Sequence, residues 1–216
     1  MICGDCREYL ADLPSKGVAV ITDPPYGVNW NTAKPSRSNL SSSGIFPPIH
    51  GDNEPFDPAH LLRFETVVLF GANWYTDRLP ARGGWIVWDK RNGITPNDYG
   101  DCELAWTNRN APVRMFNYLW SGLFAESKKR KDESGKRLHP TQKPVALFKW
   151  IISLLALPPD TLIVDPYLGS GSCGVAAGEL GYKFLGIEIE RQYCDVAIRR
   201  IGVAFAQPQL ERMPHV

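Results

Sequence analysis

Apolar residues in this chain come in short runs separated by glycine and proline, and the character of each run predicts what it forms. Residues 18–22, 67–70, 85–88, 102–107, 162–164 and 184–187 are rich in β-branched and aromatic side chains and too short for helices, which predicts strands. A further strand at 1–3 completes the sheet. Helices are predicted at 58–64, 145–157, 173–180 and from 191 to about 206, where Tyr193, Ala197, Ile201 and Phe205 recur at helical spacing. Strands alternating with helices imply an α/β chain, doubly wound, its mostly parallel sheet covered by helices on both faces. In such sheets ligands gather at the strands' carboxyl ends, so Asp23, Asp165 and Glu188, each placed just after a predicted strand, can share one crevice.

The first of these positions opens the stretch Asp23-Pro24-Pro25-Tyr26. Proline lacks an N–H, fixes its own φ and holds the preceding residue extended, so the pair makes a stiff turn that presents carbonyls without competing donors. Asp23 and the Pro24 carbonyl are then equipped to accept both hydrogens of an exocyclic amine, drawing its lone pair toward an electrophile while Tyr26 stacks on the ring that bears it. A strand-ending turn with no ligand is the plainer reading of four residues alone.

The second site decides between them. The run 162–164 leads into Asp165-Pro166-Tyr167-Leu168-Gly169-Ser170-Gly171-Ser172-Cys173-Gly174, which contains G-x-G-x-x-G, and Glu188 follows after another apolar run. As written this satisfies a dinucleotide fingerprint, yet there the first glycine follows the strand directly so that pyrophosphate meets bare amides. Here Asp165-Pro166 intervenes. A carboxylate in that place repels pyrophosphate and suits a ligand with an ammonium and a sulfonium, which is what S-adenosylmethionine carries, while Glu188 suits ribose hydroxyls of either ligand.

With these motifs in view, the chain resembles the amino-methyltransferases of DNA in the β arrangement, where the catalytic motif precedes the cofactor motif. Gly4-Asp5-Cys6 with Tyr9-Leu10 and Leu13-Pro14 resembles the family's adenine-contacting segment, which makes Asp5 and Cys6 cofactor residues. His139-Pro140-Thr141-Gln142-Lys143-Pro144 resembles the segment opening the helix beside the cofactor's amino-acid end, which implies Thr141 and Lys143. Asp165, Gly169 and Gly171 match the methionine-binding loop, Glu188 the ribose-binding acid, and Asp23, Pro24, Pro25 and Tyr26 the catalytic loop. The family more often has Phe and Thr where this chain has Tyr167 and Ser172, and relatives that read long sites carry a longer insert than residues 120–138 allow. The resemblance implies a Rossmann-like methyltransferase fold of circularly permuted motif order, S-adenosylmethionine as cofactor, and double-stranded DNA as partner. Adenine N6 is the favoured target, because many cytosine-N4 relatives carry Ser in place of Asp23, with cytosine N4 as the alternative. More remote readings are a nicotinamide oxidoreductase, a catalytically dead DNA-binding protein, and an enzyme acting on RNA or on a protein glutamine. A homodimer and a cognate restriction endonuclease both stay open.

Composition changes the picture in three places. With 216 residues and 44% hydrophobic content the chain is expected to form one methyltransferase domain over 1–216. A net charge of +1 gives no global sign of nucleic acid, but Lys128, Lys129, Arg130 and Lys131, with Lys136 and Arg137 nearby, concentrate charge in the 120–138 insert and are candidate phosphate contacts. Five cysteines, an odd number, and no signal peptide suggest free thiols in the cytoplasm. Cys3 and Cys6 form a C-x-x-C, but no second pair offers zinc spacing and the histidines are dispersed, which suggests no metal. The apolar stretch 145–157 is interrupted by Lys149 and too short to span a bilayer. Residues 31–50, serine-rich as far as Gly44, are expected to form a mobile loop that closes over the nucleotide, and Trp30, Trp74, Trp88 and Trp106 to be core.

Overall fold

The computed structural model describes residues 1–32, 46–92, 100–121, 124–125 and 138–206. Eight strands build one sheet in the order β1 (Ile2–Cys3), β10 (Lys183–Glu188), β9 (Leu162–Asp165), β2 (Val18–Thr22), β3 (Thr66–Phe70), β5 (Cys102–Thr107), β4 (Gly84–Asp89) and β6 (Arg114–Asn117). Only β5 runs against the others, pairing antiparallel with β3 and β4. A separate hairpin joins β7 (Trp120–Ser121) to β8 (Phe124–Ala125).

The centre of the sheet is where the two halves of the chain meet. β2 lies against β9 in register, Val18 opposite Leu162 and Val20 opposite Val164, although well over a hundred residues separate them. From this seam β2 leads outward to β3 on one side and β9 leads to β10 on the other. The carboxyl ends of β2 and β9 therefore border a topological switch point, the place where a doubly wound sheet leaves a crevice.

Burial on both faces explains why the central strands read as continuous apolar runs. Ala19, Ile21, Val68, Phe70 and Ile163 face α2 (Val145–Leu155) and α3 (Ser172–Glu179), meeting Leu147, Ile151, Ala176 and Ala177. The intervening Val18, Val20, Val67, Leu69 and Val164 face α1 (Cys6–Leu10) and the segment carrying Phe56, Leu61 and Phe64. On the first face α4 (Arg191–Ala206) packs on α3 through Ala197 and Ile201. The doubly wound architecture is thus as the sequence implied, with helices on both faces and the second face covered by one short helix and a string of turns.

Differences are local. Residues 58–64 form successive turns with amides bonded to carbonyls three residues back, not an α-helix. Leu61 and Phe64 are the fully buried hydrophobic anchors there, a spacing of three that tight turns satisfy, and Arg63 secures the segment by donating to the carbonyls of Leu10 and Leu13. α2 stops at Leu155 because Ala156 takes a left-handed conformation, φ 47°, ahead of Leu157-Pro158. The helix α1 and strands β6 to β8 carry too few apolar residues to show in a periodicity reading. Of the tryptophans, Trp88 and Trp106 are core, whereas Trp30 and Trp74 are 50% and 60% exposed. Most of the 31–50 loop, most of the 120–138 insert, and Lys128, Lys129, Arg130 and Lys131 lie outside the described residues.

The α3–α4 contact is close enough to test. A Cβ on Gly174 would lie 2.5 Å from Ile201 Cδ1 and 2.6 Å from Phe184 Cε1. Gly174→Ala should lower stability by about 1–3 kcal/mol in denaturant titration, overpacking outweighing alanine's better helix propensity. An unchanged midpoint would show that the two helices part freely.

Candidate active site

Residues from both halves of the chain converge at the seam. Thr22, the last residue of β2, donates its hydroxyl to Asp165 Oδ1 at 2.6 Å, tying the turn after β2 to the loop after β9. Asp23 follows, and both of its carboxylate oxygens are engaged, Oδ1 by the Tyr26 hydroxyl and Oδ2 by the Lys143 ammonium. Lys143 Nζ also lies 3.2 Å from Tyr26 Oη and 3.2 Å from Glu103 Oε2, and the other Glu103 oxygen is 3.1 Å from Lys90 Nζ. The result is an alternating chain of two carboxylates and two ammoniums running from Asp23 through β5 toward solvent.

Such a chain depends on mutual compensation, because Lys143 is taken out of water and the other three charges partly so. Burial pushes the Asp23 carboxyl up, with Lys143 pulling against it. Burial works against the Lys143 ammonium too, but Asp23 and Glu103 together outweigh it and raise its pKa. Glu103 is held below the usual carboxylate range because Lys143 and Lys90 overcome its burial. Tyr26, buried beside two carboxylates, stays a phenol and so remains a donor to Asp23. Its ring crosses Gly71, where a Cβ would collide with the ring carbons. Gly71 has φ 66°, so a side chain there is disfavoured by backbone and ring alike.

The second half of the crevice is built on β9 and β10. Asp165 is 3% exposed and accepts from the Thr22 hydroxyl and, at 3.3 Å, from the Tyr167 amide. Burial pushes its carboxyl up to about 7 against those two bonds. Glu188, at the end of β10, accepts from the amides of Gly169 at 2.7 Å and Glu190 at 2.9 Å, one at each oxygen, and burial raises it as well. Each oxygen keeps a second lone pair for another donor. His139 lies over Gly169, its Nε2 3.4 Å from where a Cβ would stand, and its ring meets Tyr193 edge-on at 4.4 Å. Thr141 sits beside it, amide and hydroxyl both 3.3 Å from His139 Nδ1.

Pairing of β1 with β10 sets Cys3 opposite Glu188 and brings Asp5 and Cys6 to the same edge. Asp5 caps α1, and hydrogen bonds from Arg7 hold its carboxyl down at about 2. Cys6 is buried against the Tyr167 hydroxyl, and burial pushes its thiol up. The same hydroxyl lies 3.1 Å from His60 Nε2.

The structure therefore sorts the residues named from sequence into two clusters joined by the Thr22–Asp165 bond. Asp23, Tyr26 and Lys143 form one, and Asp165, Gly169, Glu188 and Thr141 the other, with Asp5 and Cys6 at its edge. Lys143, expected on the cofactor side, turns its ammonium into the Asp23 cluster. Sequence reasoning missed Glu103, Lys90, Thr22 and His139. Glu103 left a signal, since an acid inside a strand of a sheet buried on both faces needs a partner. Among the described residues no group of three or more His, Cys, Asp or Glu is placed to hold a metal ion, and no helix is long and apolar enough to cross a membrane.

Comparison with known proteins gives this geometry its class. The DNA methylase family, of N6/N4 methyltransferase type, matches residues 87–199. A Type II methyltransferase of Haemophilus influenzae, M.HinfI, is 42% identical over 241 aligned positions covering 92% of this chain and 67% of that protein. Another from Lactococcus lactis subsp. cremoris, M2.LlaDCHI, is 34% identical over 117 residues, 54% of this chain and 41% of its own length. Among solved structures, the M1.HpyAVI–SAM complex superposes with a TM-score of 0.53 at 24% identity, covering 93% of this chain and all of its own. The cytosine-N4-specific PvuII DNA methyltransferase reaches 0.55 at 14% identity, over 97% of this chain and 87% of its own, and so shares the fold. The chain belongs to the DNA methylase family.

The charge chain makes a measurable demand. Lys143→Met would strand the Asp23 carboxylate and leave Glu103 with Lys90 alone, and should cost roughly 3 kcal/mol or more in denaturant titration at pH 8. Without the Lys143 ammonium, burial holds the Asp23 carboxyl still further above its unfolded value, so the loss should shrink as pH falls and Asp23 protonates. A loss that is small, or equal at pH 5 and pH 8, would show that Lys143 does not balance Asp23.

Proposed function

We propose that the protein transfers a methyl group from S-adenosylmethionine to the exocyclic amine of a flipped base in double-stranded DNA, adenine N6 in preference to cytosine N4. The observation that carries this reading is the hydrogen bond from Thr22 to Asp165, which joins the Asp23 turn to the glycine loop across the switch point. The donor supplies an electrophilic methyl on a sulfonium. The chain supplies position and charge. Asp23 and the Pro24 carbonyl accept from the amine, so that its lone pair points out of the ring plane, and no covalent enzyme intermediate is needed. The base must leave the stack, because neither Asp23 nor the methyl can reach that nitrogen in line inside a duplex. Lys143 and Tyr26 hold the carboxylate before the amine arrives.

On the cofactor side, Asp165 suits the amino-acid ammonium, Glu188 the ribose hydroxyls through its second lone pairs, and Asp5 and Cys6 the adenine edge. A nicotinamide dinucleotide is disfavoured, since Asp165 would set a carboxylate near its pyrophosphate. The relatives support the partner chemistry: two are Type II methyltransferases and one fold neighbour holds SAM. A cytoplasmic location, a cognate restriction endonuclease and phosphate contacts from Lys128 to Lys131 belong to the same proposal. Asp23 in place of Ser favours adenine.

Two measurements test it. Asp23→Ala should cut the rate of labelled methyl transfer to DNA on the order of a hundredfold or more, with S-adenosylhomocysteine affinity intact. A mutant that works at wild-type rate would remove Asp23 from the chemistry. Calorimetry across pH tests Asp165. A cationic ligand needs the carboxylate ionised, so S-adenosylmethionine should bind more tightly as pH rises toward about 7 and level off above it. Asp165→Asn should flatten that profile, whereas an identical profile in the mutant would assign the titration elsewhere.

A further inference from the structure

The turn that carries Asp23 and Tyr26 is organised from a residue that no motif marks. Every amide from residue 26 to residue 30 donates to Asp52. Its Oδ1 accepts from Tyr26 at 3.0 Å, Gly27 at 2.9 Å and Val28 at 3.3 Å, and its Oδ2 from Trp30 at 2.7 Å. Its backbone carbonyl takes the Asn29 amide at 2.7 Å. Asp52 is 4% exposed. Successive amides closing on one anion form the concavity that elsewhere binds phosphate, and here a side chain of the same chain fills it. The next residues complete the wrapping, since the Glu54 carbonyl lies 2.5 Å from where a Cβ on Gly27 would stand.

We infer that Asp52 is a positioning residue for methyl transfer, acting through the catalytic turn. The prolines stiffen residues 24 and 25, but nothing in that pair fixes the backbone beyond them. Asp52 does so by holding the Tyr26 amide, which in turn sets the Tyr26 ring over Gly71 and its hydroxyl on Asp23. It also fixes Trp30, two residues before Thr32, whose hydroxyl donates to the Phe46 carbonyl at 2.8 Å. The root of the segment between 32 and 46 and the base-binding aromatic are therefore anchored on one carboxylate. A base seated on Tyr26 would feel a shift in this anchor, while Asp165 and Glu188 would not.

This rests on the proposed methyltransferase reading, and the tests separate the two. In Asp52→Ala, kcat on DNA should fall on the order of a hundredfold, the scale expected when a reacting group is displaced by about 1 Å, with S-adenosylhomocysteine affinity unchanged. Rates are taken per cofactor-binding molecule counted by calorimetry, so that loss of folded protein does not mimic the effect. Asp52→Asn keeps an acceptor for the three turn amides and should recover most of kcat. Wild-type kcat per cofactor-binding molecule in Asp52→Ala, or an Asp52→Asn variant as slow as Asp52→Ala, would overturn the assignment. If Asp52→Ala does not fold, amide hydrogen exchange decides it in the wild type. Tyr26, Gly27, Val28 and Trp30 should be strongly protected, and free exchange at all four would overturn it. A wild-type protein that methylates no DNA would instead sink the functional reading.

Discussion

One ammonium holds the Asp23 half of this crevice together. Lys143 stands between Asp23 and Glu103, with Lys90 beyond, so that the buried ammonium is balanced on both sides. The arrangement explains why an acid can sit inside β5, and why a lysine two residues before α2 points inward against Phe70, whose ring its ammonium faces at 4.9 Å. It also fixes the orientation of the Asp23 carboxyl in advance, the condition under which electrostatic positioning is most effective.

The sheet makes this assembly possible by bringing distant segments together. Because β2 and β9 are neighbours, the turn after Thr22 and the loop after Asp165 leave the sheet side by side, and a single hydroxyl bridges them. β10 and β1 then add Glu188, Asp5 and Cys6 from the same direction. The antiparallel β5 is the exception that serves the site, since its opposite run presents Glu103 at the level of Asp23 rather than at the far end of the sheet.

Much of this was legible in the chain. Apolar runs such as 18–22 and 67–70 coincide with strands because in a two-sided core nearly every strand position is apolar. The two loop motifs were legible because their chemistry needs particular residues in a row. What was not legible depends on contact across sequence. Lys143 reads from its motif as a cofactor residue, and only the packing of α2 against Phe70 sends its ammonium to Asp23. Asp52 stands in a polar stretch with no local pattern, and its role appears only once five amides are seen to close on it. Trp30 and Trp74 look like core in a string of letters, yet they follow turns that leave them in solvent. Residues 58–64 look helical by spacing, but two anchors three residues apart are satisfied by turns.

The central claim is that Asp23 receives an exocyclic amine for methylation. Its most direct test is mass spectrometry of nucleosides from duplex DNA incubated with the purified protein and S-adenosylmethionine labelled in its methyl group. The account predicts labelled N6-methyldeoxyadenosine as the product, absent when the protein carries Asp23→Ala. Labelled N4-methyldeoxycytidine would keep the mechanism and move the target, whereas no labelled nucleoside at all from a folded protein that binds the cofactor would contradict the account.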